Sequence, residues 1–411
     1  MYRQHKSMEK DRIIDSFLNN KYKVGNIEIQ CVDILFFICV SLFAYLLRIN
    51  LFPIVSGDYA GFLDAWFNDI DNFGGFKSLQ YNISNYTSPY MYLMCLVANR
   101  FNRMYALKNI SVLFDYSSAV ALMFIIYRMT GNKVKALIGY SVLLLCPTVF
   151  IDSAWWCQCD IIYISFILWA LYFFLKEKSV TGFVFIGIAF SFKLQTLFII
   201  PFLIIMYLKK KNINIIYIVL VPIVYVIMHI PALIAGRPFM EVLKIYFEQS
   251  GYYPWGTLNY PNFYIFLDET MQNMRYADEL SGAGTILTIV VLGVLAYYLY
   301  ISKFETDSNM FVTIALFSVA ITVYTLPHMH ERYGLLIDIV GIIYGILRPK
   351  KLWCTCGFVL VSLLSYMPFL VGVNVVGWPT LATLQLALII SVGYDLHSQI
   401  KRGTNRPSVE A

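Results

Sequence analysis

Apolar runs of bilayer-crossing length, separated by short polar turns, fill most of the chain. About twenty such residues cross about 30 Å of hydrocarbon as a helix. The first run lies at 32–52, followed by 108–127, 135–151, 160–176, 180–192, 195–208 and 213–230. After a polar stretch the pattern resumes at 282–302, 308–326, 333–347, 352–370 and 380–397. It predicts about twelve transmembrane helices, with the short pair at 180–208 the least clearly divided. A further run, 88–101, is short and carries Asn99 and Arg100, so hydropathy leaves it undecided.

Charge decides it. Arg3, Lys6, Lys10, Arg12, Lys21 and Lys23 precede the first run. With that end in the cytoplasm and 88–101 lying on the outer face, about two thirds of the 31 Lys and Arg fall on the inner side. Were 88–101 a crossing, every later basic loop would face outward, against the positive-inside bias. This reading makes 1–31 a cytoplasmic segment and 398–411 a cytoplasmic tail, with an uncleaved first anchor because the leading residues are too polar for a signal peptide. It puts a long loop (53–107), a short loop (152–160), a turn at Lys193–Gln195, a second long loop (231–281) and residues 327–332 outside. Only 14% of residues are charged and 59% are hydrophobic, against about 25% charged in soluble domains. The mean hydropathy is +0.65. The expectation is an all-α polytopic protein of the cell membrane, not a soluble, disordered or collagen-like chain. Its net charge of +6 is absorbed by cytoplasmic anchoring, which leaves no basis for nucleic-acid binding. The eight cysteines show no repeated CxxC, so neither a zinc site nor a disulfide framework is signalled.

Several polar residues gather at outer helix ends. Ser56-Gly57-Asp58-Tyr59 puts one carboxylate on a tight turn at the membrane surface. In the following GFLDAWFNDI, Phe62, Ala65, Trp66 and Ile70 have helical spacing, which predicts an amphipathic helix lying on the membrane. Asp64, Asp69 and Asp71 read there as solvated or capping carboxylates. Asp160 opens an apolar span, where a charge is costly and faces a cavity or a partner. Trp155 and Trp156 have the ordinary role of interfacial anchors, while Trp156, Gln158 and Asp160 together suit a carbohydrate site. Cys157 and Cys159, one residue apart, read as packing. Lys193 and Gln195 interrupt an apolar stretch. The lysine either snorkels to the interface or meets a lipid phosphate as a point charge. His328, His330, Glu331 and Arg332 form the densest polar cluster of the second half. Its histidines at i, i+2 point apart on a helix and no third ligand is near, so no metal is expected. Arg332 reads as a phosphate clamp and the histidines as site lining. The loop 246–263, rich in Tyr, Trp, Asn, Gly and Pro, suits sugar stacking. Only Asp115 and Asp338 lie within spans.

Four pieces, SGDY (56–59), CPTVFIDSAWWCQCD (146–160), GIAFSFKLQTLFIIP (187–201) and LPHMHERY (326–333), occur in an order that resembles the GT-C superfamily of integral-membrane glycosyltransferases. The likeness is to bacterial relatives of the GPI-anchor mannosyltransferases and of dolichyl-phosphate-sugar-dependent transferases, and it covers about 32–335. The resemblance implies a GT-C-like core at 32–230, an outer loop at 231–281 and a variable C-terminal helical bundle at 282–397. It places the catalytic carboxylate on Asp58 and a Trp-x-Gln-x-Asp piece on Trp156, Gln158 and Asp160. Related proteins usually carry Gly where this chain has Cys157. The implied reaction moves a hexosyl group, of mannosyl type, from a polyprenyl-phosphate donor to an extracytoplasmic glycan, lipid or polymer with inversion. Asp58 would be the base, Lys193 and Arg332 would hold the phosphate, and no cofactor or metal would be required. The alternatives are a polymerase using diphosphate-linked oligosaccharides, and a transporter or flippase of lipid-linked sugars. Transport would predict inverted repeats and ionisable residues at mid-membrane.

Overall fold

A computed structural model describes residues 18–24, 27–209, 213–250, 255–267 and 277–404. The basic residues Arg3 to Arg12, Lys210, Lys211 and Arg406, and parts of the loop 231–281, lie outside the described residues. The chain divides into two units, Met1–Asn50 and Leu51–Ala411.

In the first unit a hairpin of β1 (Lys21–Val24) and β2 (Ile27–Gln30) pairs antiparallel, with Lys21 opposite Gln30. It runs directly into α1 (Cys31–Leu51). The Asp33 carboxylate accepts the main-chain N–H of Gln30 at 2.8 Å, which satisfies a donor left over at the start of the helix.

The second unit is a helical assembly. After a π-helical turn at Tyr59–Leu63, α2 (Asp64–Asn72) buries Trp66, Phe67 and Ile70. Its inward stripe is therefore Leu63, Trp66, Phe67 and Ile70, while Phe62 and Ala65 are exposed. Asp64 and Asp71 are not merely solvated. Arg103 reaches Asp64 at 2.8 Å and Asp71 at 3.1 Å, donates to Asn68 Oδ1 at 2.8 Å, and lies over the Phe67 ring. One guanidinium thus fastens the whole polar side of α2 to the start of α4 (Arg103–Thr130).

Between them, α3 (Ser88–Val97) has 10 residues, or about 15 Å of helix, half the thickness of the hydrocarbon. There follow α5 (Lys133–Leu145), α6 (Pro147–Phe150), α7 (Asp160–Leu175), α8 (Ser179–Phe192), α9 (Ile200–Leu208), α10 (Leu220–Ala235), α11 (Phe239–Ser250), α12 (Ala277–Ile301), α13 (Ser308–Thr325), α14 (Leu335–Leu347), α15 (Leu352–Val371) and α16 (Trp378–Thr404).

All twelve expected runs are helical, but they are not twelve crossings by length. Among the described residues, seven helices are long and apolar enough to span. An eighth arises if Lys133–Leu145 and Pro147–Trp156, bent by 46°, act as one. The others, Asp160–Leu175, Ser179–Phe192, Leu194–Leu208 and Leu335–Leu347, are too short. The reason is local. Polar segments carrying Asp160, Lys193 and Arg332 end these helices early, and the same shortening makes room for a site. Close approach of α8 to its neighbours relies on glycine. A Cβ on Gly187 would stand 2.7 Å from Val224 Cβ, and one on Gly182 would stand 2.4 Å from the Phe174 ring.

Candidate active site

The turn bearing Asp58 is held from both sides. Ser56 Oγ donates to the Trp156 carbonyl at 2.6 Å and accepts the Tyr59 N–H at 3.2 Å. Lys108, fully buried on α4, donates to the carbonyls of Phe52 at 3.0 Å and Ile54 at 2.6 Å. A cation on carbonyls left over after a helix end is favourable, and it fixes the path of the chain just before Asp58.

The 152–160 loop then presents its side chains to that carboxylate. Trp156 Nε1 donates to Asp58 Oδ2 at 3.0 Å, and Gln158 Nε2 donates to the same oxygen. The loop reaches this shape through Cys157, whose φ is +66°. That is the left-handed region, which costs an L-residue roughly 1–2 kcal/mol and glycine nothing. Cys157 therefore holds a backbone conformation that glycine adopts without cost. Burial pushes the Cys157 and Cys159 thiols up to about 12, so both are inert packing groups. We expect Cys157→Gly to be close to neutral in thermal unfolding, because relief of strain offsets the lost burial. Cys157→Val should lose about 1–3 kcal/mol, since β-branching is worst in this region. Equal unfolding of the two variants would contradict this account of the loop.

Asp160, at the first turn of α7 and fully buried, is the hub of the charges. Lys193 Nζ lies 2.5 Å from Oδ1 and Arg332 Nε 3.1 Å from Oδ2. Arg332 Nη1 also reaches Glu331 at 3.2 Å and Asp58 Oδ2 at 3.5 Å. Burial works against the charge of Lys193, but Asp160 more than restores it and holds the ammonium above its ordinary range. Burial opposes Arg332 in the same way, and Asp160, then Tyr86, Glu331 and Asp58, hold its guanidinium well above the usual value. Glu331 sits below the usual carboxylate range, because the hydrogen bond and charge of His330 and the charge of Arg332 outweigh its burial. Both cations therefore stay charged throughout the neutral range. Aromatic faces complete their surroundings, with Tyr86 and Tyr333 beside Lys193 and Trp156 beside Arg332.

Asp58, Gln158, Lys193, Glu331, Arg332, Tyr86 and Tyr333 line one cavity of about 620 Å³, together with Phe62, Trp66, Asn85, Gln195, His328, His330 and Phe369. A two-stranded parallel pairing of β3 (Thr257–Leu258) with β4 (Met329–His330) pins the second long loop to its rim, and His328 Nδ1 meets the Trp255 carbonyl at 2.6 Å. A larger depression of about 860 Å³ is lined by Glu177, Ser179, Tyr207 and Asn214. It lies at the far ends of α7, α8 and α9, a helix length from Asp58, and lacks the clustered charges.

All ten residues singled out from the sequence belong to this region, but two do not stand where a sugar-contacting role needs them. Trp156 is fully buried, stacked on Phe369 at 4.9 Å and edge-on to Tyr366 at 5.2 Å, so its face is closed to a sugar. Asp160 has both oxygens occupied by Lys193 and Arg332 and no exposure. Gln158 and Asp58 do line the cavity. The sequence reading missed Lys108, Tyr86, Asn85 and Phe369. A lysine at the start of a span was a usable signal for the first. Phe369 gave none, being an apolar residue in an apolar helix. Asp115 and Asp338, read from the sequence as intramembrane carboxylates, accept hydroxyls from Ser153 at 2.6 Å and Ser362 at 3.0 Å.

The family model described as glycosyltransferase family 87 matches residues 101–327, more than half of the chain. The matched span contains Gln158, Asp160 and Lys193, and lies between Asp58 and Arg332. No curated protein matches the chain.

Proposed function

The chain belongs to glycosyltransferase family 87 and is a polytopic membrane glycosyltransferase in keeping with its GT-C resemblance, and on that basis we propose that it transfers a hexosyl group, of mannosyl type, from a polyprenyl-monophosphate donor to an extracytoplasmic glycan, lipid or polymer. The observation that carries this reading is the coordination of Asp58. Among the described residues, every donor that reaches its carboxylate meets Oδ2. That leaves Oδ1 for an acceptor hydroxyl in the cavity that Asp58 lines, with Arg332 beside the same carboxylate.

In a single displacement, the acceptor hydroxyl oxygen forms a bond to the anomeric carbon while the bond from that carbon to the phosphate oxygen breaks. The bonding pair leaves with the phosphate, and the acceptor proton passes to Asp58 Oδ1. The departing lipid phosphate gains negative charge as it leaves, and Arg332 and Lys193 lie where that charge is stabilised. Because both are already paired with Asp160, the phosphate would share them with it. One-step attack from the face opposite the leaving group inverts the anomeric centre. The positive-inside bias read from the sequence supports an extracytoplasmic site with both termini in the cytoplasm. Membership of a transferase family weighs against the flippase alternative.

Purified protein reconstituted in sealed vesicles of known orientation should transfer sugar from polyprenyl-monophosphate donors only when the acceptor is supplied at the extracytoplasmic side. Lys193→Ala and Arg332→Ala should raise the donor KM at least tenfold. Turnover of diphosphate-linked oligosaccharides instead would replace this reading with the polymerase.

A further inference from the structure

The cavity wall holds two carboxamides that the protein itself does not use. Asn85 precedes α3, and Gln195 lies in the turn that follows Lys193; both line the cavity. Asn85 Oδ1 and Gln195 Oε1 are buried and meet no hydrogen-bond donor among the described residues. Asn85 is held only through its main chain, whose carbonyl accepts Gln249 Nε2. A buried amide oxygen left unpaired is costly, and native proteins leave few such groups. Two of them in one cavity call for a ligand.

Their surroundings say what kind. The segments carrying them are joined, since Thr87 Oγ1 donates to the Phe192 carbonyl at 3.3 Å and the Tyr86 ring lies 5.7 Å from Lys193 Nζ. The two amides therefore flank, in sequence, the contact between Tyr86 and Lys193. An amide oxygen needs an O–H or N–H donor and its NH₂ needs an acceptor; a hydroxyl serves both. An acceptor-only phosphate does not satisfy the oxygens. Nor does the charge balance favour an acidic sugar, because the three carboxylates of Asp58, Asp160 and Glu331 already face the two permanent cations Lys193 and Arg332, with His330 beside Glu331.

We propose that Asn85 and Gln195 form a subsite that reads the hydroxyls of an uncharged sugar ring beside the cation pair. The inference rests on the glycosyl-transfer reading above and deepens it by specifying a neutral sugar chosen by its hydroxyl pattern. That ring belongs to the lipid-linked donor or to the acceptor, and kinetics separates the two.

The test uses the full chain in nanodiscs, with Asn85→Leu and Gln195→Met, which keep volume and remove the amide. Asn85→Ala and Gln195→Ala substitute for either one that does not fold. Transfer from a panel of polyprenyl-monophosphate sugars is measured, together with inhibition by bare polyprenyl monophosphate. Each variant should raise one substrate's KM about tenfold, the worth of one good hydrogen bond, and should narrow the preference for that sugar over its deoxy analogue. Inhibition by the bare lipid phosphate should not change. A rise in donor KM assigns the ring to the donor, and a rise in acceptor KM assigns it to the acceptor. Unchanged KM values in an active enzyme, or an equal loss of bare lipid phosphate binding, would overturn this subsite alone. A wild type that transfers nothing from any donor in the panel would overturn the parent reading and the subsite with it.

Discussion

Asp160→Asn is expected to destabilise the protein by about 3–5 kcal/mol, the range for stranding buried charges by removing one partner. Lys193 is 7% and Asp160 0% exposed, so neither ion can turn to water instead. The substitution leaves the Lys193 ammonium without its carboxylate and removes the strongest partner of Arg332, which retains Glu331 at 3.2 Å and Asp58 at 3.5 Å. A second change should separate this role from substrate contact. Asp160→Asn with Lys193→Met removes the stranded cation, and replacing a buried ion pair by groups of similar volume is often near neutral. The double variant should regain most of the lost unfolding temperature while donor use stays poor, because a phosphate-facing cation has gone. Unfolding that is unchanged in Asp160→Asn, with only the acceptor KM raised, would instead make Asp160 a substrate-contacting group.

Much of this site was legible in the sequence because charge is conspicuous in an apolar chain. Asp58, Asp160, Lys193 and Arg332 each stand at the end of a hydrophobic run, and the cost of placing a charge there already implied mutual partners. The structure shows that Arg332 bridges Asp160 and Asp58. What hydropathy could not assign was the division of labour among them. Trp156 looks like a sugar platform in a linear reading, yet its ring is enclosed by Phe369 and Tyr366, and only its N–H reaches the site. Those enclosing rings come from α15, in the C-terminal bundle, where no motif marked them. Asn85 carries no charge and sits in a polar loop, so nothing in the sequence set it apart from Asn82 or Asn99. The helices were similarly half legible. Each apolar run is a helix, but only seven or eight of the described helices have spanning length, because Asp160, Lys193 and Arg332 shorten the helices they adjoin. Arg103 shows the converse, since its clamp on Asp64, Asn68 and Asp71 needs residues more than thirty positions apart.

The central claim is that Asp58 accepts the acceptor's proton through Oδ1 while Trp156 and Gln158 hold Oδ2. Asp58→Asn keeps the shape and leaves a carbonyl oxygen able to accept both of those hydrogen bonds, so expression, unfolding and donor affinity should stay near wild type. What it removes is the basic group. General-base catalysis supplies about 10²–10⁴-fold, and with the nearby charge of Arg332 also left unbalanced, the loss in kcat should sit toward the upper end of that range. The decisive measurement follows single-turnover transfer by wild type and Asp58→Asn with one polyprenyl-monophosphate sugar, reading both the rate and the anomeric configuration of the product. The account predicts an inverted product from the wild type and a rate at least about a thousandfold lower in the variant, with donor binding preserved. A retained configuration, or an Asp58→Asn protein that transfers at the wild-type rate, would contradict it.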